Sequence, residues 1–188
     1  MTLEDIGRKH GTDKSKLLHN FLVHYEEILK GRNIKTVLEI GIERGASLRM
    51  WAEFFPQARI VGLDNNPMTL INEGHIESFL CDQSKADVIQ AVLNEHEIDP
   101  DLVIDDGSHF WSHQMISFNT IYPLLKDGSI YIVEDLHTSL ANALFNDQVQ
   151  NPLEYFRGLP NFTIIRHDND HPVFKISITG IGIKGGGK

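Results

Sequence analysis

Short apolar runs alternate along most of this chain with segments whose apolar residues recur at helical spacing. The predicted strands are Thr36–Ile40, Arg59–Leu63, Ile76–Leu80, Asp101–Ile104, Ser129–Val133, Phe162–Ile165 and Val173–Ile178. The helices predicted between the first five strands lie near residues 46–55, 67–73, 84–96 and 110–124, and a further apolar stripe over residues 14–30 predicts a helix that stops at Gly31. Strand–helix alternation of this kind is typical of an α/β fold, in which helices cover both faces of a parallel sheet.

A glycine-containing loop follows the first predicted strand, where parallel sheets commonly bind their ligands. In "LEIGIERGAS", Gly41 and Gly45 let the backbone approach a ligand closely and open the next helix. The spacing differs from the G-x-G-x-x-G of dinucleotide-binding loops, and the acids Glu39 and Glu43 suit a pyrophosphate poorly. A ligand with a cationic part and no phosphate therefore fits this loop better.

Single acids follow the second and third predicted strands. Asp64, in "VGLDNNP", stands where an acid accepts hydrogen bonds from both hydroxyls of a ribose. Asp82, in "FLCDQS", is placed to accept a hydrogen bond from the exocyclic amine of adenine. Either acid taken alone is equally well explained as a turn residue or a helix cap. Together with the acids of the glycine loop, they place acids after three successive strands, and this arrangement favours a nucleoside-containing ligand.

Two adjacent carboxylates follow each of the fourth and fifth predicted strands, at Asp105–Asp106 and Glu134–Asp135. Neighbouring strands lie about 4.8 Å apart, so the two pairs should approach each other. Clustered carboxylates repel unless a cation balances them, and oxygen ligands favour Mg²⁺, Mn²⁺ or Ca²⁺ over Zn²⁺. The alternative is that Asp106 or Ser108 caps the helix beginning near Phe110.

A histidine follows each acid pair. His109 is a candidate base for a substrate hydroxyl, because histidines commonly exchange protons near neutral pH. His113, one helical turn further, and His137, after the second acid pair, are candidates to line the same site. A zinc site built from His109 and His113 would leave the acids without a role.

Composition limits the classes of protein to which the chain can belong. With 41% hydrophobic and 23% charged residues, it has the composition of a soluble globular protein. The net charge of −9 argues against nucleic-acid binding, and no apolar run is long enough for a membrane span. The N-terminal residues have no apolar signal core, and Cys81 is a lone cysteine, so a cytoplasmic location is expected.

Together, "LEIGIERGAS", "VGLDNNP" and "LCDQS" resemble the class I S-adenosylmethionine-dependent methyltransferases. The resemblance implies a Rossmann-like, seven-stranded, mostly parallel sheet whose last strand is antiparallel, with residues from 162 onward as a closing hairpin. It implies that the glycine loop surrounds the amino-acid part of S-adenosyl-L-methionine, that the acid after the second strand holds the ribose, and that the acid after the third strand reads adenine. The cofactor-binding residues predicted on this basis are Glu39, Gly41, Gly45, Asp64, Asp82 and Asp105.

The pair "DDGSH" and "EDLHTS" resembles a narrower group, the metal-dependent sugar O-methyltransferases of macrolide biosynthesis, of the mycinamicin and macrocin type, which are related to the cephalosporin hydroxylase family. The N-terminal "GTDK" segment resembles this group as well. The resemblance implies that Asp106, Glu134 and Asp135 bind Mg²⁺ or Mn²⁺ and that His109 is the general base. It also implies a small-molecule acceptor, with the hydroxyl on a sugar or a polyketide-like natural product. The macrolide enzymes carry a large additional N-terminal domain, and this chain resembles their catalytic core.

We expect an N-terminal helical cap segment at residues 1–33, a catalytic domain at residues 34–180 and a flexible tail at residues 181–188. No nucleic-acid or membrane partner is expected, and a homo-oligomer stays open. One competing hypothesis is a nicotinamide-dependent oxidoreductase, against which the loop spacing counts. A carboxylate-metal phosphohydrolase would leave the glycine loop without a purpose. A non-catalytic cofactor-binding protein would have no need of both acid pairs and His109.

Overall fold

The computed structural model describes residues 1–141, 144–168 and 176–185. The strands are β1 (Thr36–Ile40), β2 (Arg59–Asp64), β3 (Ile76–Leu80), β4 (Leu102–Asp105), β5 (Ile130–Val133), β6 (Phe162–Asp168) and β7 (Ile176–Ile183). The helices are α1 (Leu3–His10), α2 (Leu22–Leu29), α3 (Ala46–Phe54), α4 (Ala86–Glu95), α5 (Trp111–Ile121), α6 (Thr138–Ala141) and α7 (Pro152–Arg157), and a 3₁₀ turn spans Tyr122–Leu124.

These strands form one seven-stranded sheet in the order β3-β2-β1-β4-β5-β7-β6. Strands β1 to β5 pair in parallel, whereas β7 is antiparallel to both β5 and β6. The predicted α/β class, the antiparallel last strand and the closing hairpin are therefore confirmed. The strand order reverses direction between β1 and β4, and the crevice beyond the carboxyl ends of these two strands is the expected place for a ligand.

Helices cover both faces of the sheet, so the central strands are buried on both sides. Val37 packs on one face in the same apolar cluster as Trp51 of α3. Leu38, which points to the opposite face, packs in the same cluster as Phe118 of α5. Burial on both faces explains why these strands are continuous apolar runs in the sequence.

The N-terminal segment differs from the predicted helix over residues 14–30. Only Leu22–Leu29 is helical, and the preceding residues form turns that include Asn20, with φ of 59°. Helix α1 was not predicted, although Thr2 and Asp5 form a capping box at its start. The apolar spacing was misleading because Leu17 is 65% exposed and does not pack in the core.

Two further predictions need correction. Residues 67–73 form turns and not a helix, because Pro67 follows Asn66, whose side chain accepts the amide hydrogen of Met68. Strand β7 runs to Ile183 and pairs with β5, so residues 181–183 belong to the sheet and not to a tail. The predicted strand residues 173–175 and the last three residues of the predicted tail lie outside the described residues. No helix in the described part of the chain is long and apolar enough to cross a membrane.

Candidate functional site

A cavity of about 490 Å³ opens at the carboxyl ends of β1 to β4. Its walls come from the N-terminal segment and from the loops that follow these four strands. The residues that line it include Gly11, Thr12, Asp13, Gly41, Ile42, Glu43, Arg44, Asp64, Asn65, Cys81, Asp82, Gln83, Asp106, Gly107, Ser108 and His113. The crevice predicted from the strand order therefore exists as a cavity.

Gly41, the residue after β1, lies against the backbone of Asp106 and Gly107, the residues after β4. Its φ of 92° is in the left-handed region, and a Cβ atom there would stand 2.1 Å from the carbonyl oxygen of Asp106. The next residue, Ile42, donates its amide hydrogen to Asp64 Oδ2 at 2.9 Å. The glycine loop is therefore attached both to the acid after β2 and to the first acid-pair loop.

We expect Gly41→Ala to lower the free energy of unfolding by more than about 2 kcal/mol, because it adds a backbone clash to the strain of a left-handed residue. The matched control is Gly74→Ala. Gly74 also has a positive φ, of 59°, but a Cβ atom there meets nothing within 4 Å, so this variant should lose only about 1 kcal/mol. Urea unfolding of both variants measures the difference, and equal losses would contradict the assigned contact.

Asp64 and Asp82 both line the cavity, as their predicted roles require. Asp64 accepts hydrogen bonds of 2.9 Å from the backbone amides of Ile42 and Asn66. Hydrogen bonds from Ser84, together with nearby Lys85, lower the pKa of Asp82 to about 2, so its carboxylate stays ionised. Both acids can still accept further hydrogen bonds at the cavity.

Glu39 and Asp105, which were predicted to bind the cofactor, lie behind the cavity wall. Glu39 is fully buried, and its Oε2 accepts a hydrogen bond from Trp51 Nε1 at 2.9 Å. Asp105 is 1% exposed and accepts a hydrogen bond of 2.6 Å from the Gln83 side-chain amide. Burial raises the pKa of Asp105 to about 7. Both acids are therefore hydrogen-bonded to neighbouring side chains behind the cavity, and they do not line it.

The two acid-pair loops meet at Asp106, His109 and Asp135, which can each direct one ligand atom to within 4.8 Å of the others. His109 and Asp135 have φ values of 60° and 55°, a left-handed conformation that costs side-chain-bearing residues energy. Among the residues described, His109 Nδ1 and Asp135 Oδ1 are buried atoms that have no hydrogen-bond partner. This donor set of oxygen and imidazole ligands fits a divalent cation.

The helix-cap alternative for this loop is not what the structure shows. Helix α5 has Phe110 at its N-cap, whose side chain makes no capping hydrogen bond, and the first-turn amide of Ser112 donates to Asp147 Oδ1 at 3.1 Å. Ser108 Oγ instead lies 2.7 Å from His113 Nδ1. Asp106 is consequently available to the cavity and to the neighbouring loop.

Glu134, predicted as a metal ligand, is turned toward the N-terminal segment. It is 1% exposed, and it accepts hydrogen bonds from Lys14 Nζ at 2.8 Å and from Tyr25 Oη at 3.0 Å. Lys14 also forms ion pairs with Asp106 and with Glu39. Burial alone would lower the pKa of Lys14, but the three carboxylates outweigh this effect and raise it well above its usual range.

Lys14 is the main site residue that the sequence interpretation missed. A single lysine carries no spacing signal, and its only clue is its place in the "GTDK" segment. His137 also lies at this site, with its Nδ1 3.6 Å from Asp135 Oδ1, and His19 is at 3.7 Å from the same oxygen. His113 lines the cavity.

Comparison with known proteins decides the family. The FtsJ-like methyltransferase model matches residues 15–152, which is most of the chain. The chain belongs to the FtsJ-like methyltransferase family. The matched region includes the glycine loop and both acid-pair loops, and it begins at Ser15, one residue after Lys14.

Curated relatives of this chain are named as O-methyltransferases. The chain is 39% identical over 149 residues to 8-demethyl-8-(2-methoxy-alpha-L-rhamnosyl)-tetracenomycin-C 3'-O-methyltransferase of Streptomyces olivaceus, covering 72% of this chain and 37% of that protein. It is 35% identical to mycinamicin VI 2''-O-methyltransferase of Micromonospora griseorubida, covering 73% and 36%. The matched region thus spans little more than a third of these relatives.

A solved structure shows the same fold. The MycE methyltransferase from the mycinamycin biosynthetic pathway, in complex with Mg, SAH and mycinamycin VI, superimposes with a TM-score of 0.77 at 25% identity. The superposition covers 98% of this chain and 54% of MycE. The predicted methyltransferase fold is therefore confirmed by similarity as well as by strand order.

Proposed function

We propose that this chain is an S-adenosylmethionine-dependent, metal-dependent O-methyltransferase that acts on a hydroxyl of a sugar or polyketide-like natural product. One observation carries the proposal: Asp106 lines the nucleoside-sized cavity and also belongs to the Asp106–His109–Asp135 group. A methyl donor and a cation-bound hydroxyl must adjoin for in-line transfer, and a shared residue makes the two sites adjacent. The names of the curated relatives support this activity.

The cavity wall suits a cofactor that carries a positive charge and no phosphate. Its lining residues include five acids, Asp13, Glu43, Asp64, Asp82 and Asp106, against one arginine, Arg44. A wall of this charge attracts a sulfonium and repels a pyrophosphate. This balance favours S-adenosylmethionine over a nicotinamide dinucleotide.

Asp106 and Asp135 would hold the metal ion, because both belong to the predicted ligand set and to the group that the structure brings together. We retain Glu134 as a predicted ligand, although its carboxylate is hydrogen-bonded to Lys14 and Tyr25. A bound Mg²⁺ or Mn²⁺ would supply a Lewis acid that lowers the pKa of the acceptor hydroxyl. His109, whose Nε2 is 3.5 Å from Asp135 Oδ2, is the proposed general base that takes the hydroxyl proton.

Aromatic rings next to His109 would form the acceptor side of the site. The Phe145 ring centroid lies 6.1 Å from that of His109 and 5.9 Å from that of Phe110. A backbone hydrogen bond of 3.1 Å from Trp111 N to Phe145 O ties this segment to the start of α5. Phe110 is 38% exposed, so it offers an apolar face to a ring of the acceptor.

We expect S-adenosylhomocysteine, the demethylated cofactor, to bind and NAD not to bind. Asp64→Ala should weaken S-adenosylhomocysteine binding by about 1.5–3 kcal/mol, because it removes charge-assisted hydrogen bonds to the ribose. The matched control is Asp99→Ala, which removes a surface acid that pairs with Lys126. Calorimetric titration measures all three proteins, and wild-type affinity in Asp64→Ala would move the cofactor site elsewhere.

The remaining assignments follow from this function. We propose that residues 34–183 form the catalytic domain and that residues 1–33 cover it. We also propose a cytoplasmic location, where the free and buried Cys81 stays reduced.

A further inference from the structure

We propose that Lys14 is a positioning residue that anchors residues 11–21, the N-terminal strap, to the strand ends and thereby holds one wall of the cofactor cavity in place. The inference rests on the proposed function, since it assumes that the cavity binds the cofactor. It concerns a residue far from the glycine loop in the sequence and on a different element.

The contacts of Lys14 reach the ends of three central strands. Its Nζ lies 3.3 Å from Glu39 Oε1 in β1 and 2.8 Å from Glu134 Oε2 after β5, and it forms an ion pair with Asp106 after β4. The side chain is 1% exposed. A single ammonium therefore joins the strap to β1, β4 and β5 at the floor of the site.

The strap consists of turns closed by backbone hydrogen bonds such as Phe21 N to Lys14 O at 2.9 Å, and side-chain anchors such as Lys14 attach these turns to the sheet. It connects α1 to α2, and its residues Gly11, Thr12 and Asp13 line the cavity immediately before Lys14. Its far end is held separately, by a contact of 2.8 Å between His19 Nδ1 and Ser177 Oγ. Lys14 is the ionic anchor next to the residues that line the cavity.

The anchor contributes to positioning as well as to stability. A buried ion pair gains little net stability, because desolvating the charges offsets much of their attraction, but removing one partner alone destabilises the fold by leaving the other charges unpaired. The Lys14 ammonium is shared among Glu39, Glu134 and Asp106, so it is not paired with Asp106 alone. Lys14 can thus fix the strap without neutralising the neighbouring metal group.

The test is Lys14→Met, which keeps much of the length of the side chain and removes its charge. S-adenosylhomocysteine affinity should fall roughly 10- to 100-fold by calorimetry, as expected for losing a charge-assisted anchor. Amide hydrogen exchange of residues 11–21 should become faster by a larger factor than that of β1 and β4, which reports any general loss of stability. Mn²⁺ affinity should stay equal or increase, because a positive charge beside Asp106 has been removed.

The matched control is Tyr25→Phe, which removes a buried hydrogen bond to the same Glu134 from α2 and not from the strap. Its S-adenosylhomocysteine affinity should stay within about twofold of wild type. A parallel fall of cofactor and Mn²⁺ affinity in Lys14→Met, with amide exchange accelerated as much in β1 and β4 as in residues 11–21, would overturn the local role. Wild-type cofactor affinity in a folded Lys14→Met would overturn it as well.

If Lys14→Met does not fold, the double variant Lys14→Met/Glu134→Gln removes one charge of each sign and is compared with Glu134→Gln alone. Weaker S-adenosylhomocysteine binding in the double variant supports the anchor, and equal binding overturns it. A double variant that also fails to fold would assign Lys14 to global stability and overturn the anchor too. Failure of the wild-type chain to bind S-adenosylhomocysteine would instead refute the proposed function.

Discussion

His109→Ala is expected to lower turnover by about 10²–10⁴-fold, the usual contribution of a positioned general base. His109 stands next to the two acids that would hold the metal, with its Nε2 3.5 Å from Asp135 Oδ2. Its left-handed backbone, with φ of 60°, indicates that the loop holds this side chain in place at an energetic cost. The loss should appear in kcat at saturating cofactor and metal concentrations.

The same variant separates two roles that the geometry allows for His109. As a base, it contributes nothing to metal affinity, so Mn²⁺ should bind His109→Ala as tightly as wild type. As a third ligand with Asp106 and Asp135, it would be needed for Mn²⁺ binding, and affinity should fall together with turnover. Mn²⁺ titration followed by electron paramagnetic resonance, together with single-turnover rates, distinguishes the two.

His113→Ala is the control for this experiment. His113 lies one helical turn further along, lines the cavity and contacts Ser108 Oγ at 2.7 Å, but it is not part of the Asp106–His109–Asp135 group. Its loss of turnover should be much smaller. If His109→Ala retained the wild-type rate, the proton would go to water or to another residue, and the base assignment would be wrong.

Asp135→Asn is expected to lower turnover by about 10²-fold or more and to weaken Mn²⁺ binding strongly. A catalytic cation provides several kcal/mol of transition-state stabilisation, and each 1.4 kcal/mol is a factor of ten in rate. Asparagine keeps the size of the side chain but not its charge, and Asp135 Oδ1 is a buried atom without a hydrogen-bond partner among the described residues. EDTA should abolish wild-type turnover and leave S-adenosylhomocysteine binding largely intact.

The control is Asp87→Asn, which removes an exposed carboxylate in the first turn of α4. It should retain wild-type turnover and Mn²⁺ affinity, which shows that a change in net charge alone has no effect. Full activity of the wild-type chain in the presence of chelator would mean that the acid pairs serve the acceptor or the fold, and not a metal ion.

Strand positions were predictable because the sheet is buried on both faces. The bounds of β1 match the predicted strand Thr36–Ile40, since nearly every residue of this central strand packs against a helix or another strand. The bounds of β3 match the predicted strand Ile76–Leu80, although this edge strand is buried only at alternate residues. The helix predicted over residues 67–73 fails for the opposite reason. Side-chain hydrogen bonds such as Ser78 N to Asn72 Oδ1 replace the helical bonds there, and an apolar pattern does not report them.

The sequence alone determined that acids follow successive strands, since strand periodicity and the residues at strand ends are local properties. It did not determine which acids reach the cavity. Successive residues point to opposite faces, so Asp106 and Asp135 meet at the site while Asp105 and Glu134 are buried beside it. Lys14 reaches Asp106 across a separation of 92 residues, and only folding brings the two charges together. Contacts of this kind depend on the packing of distant elements, and therefore the tertiary structure alone decided them.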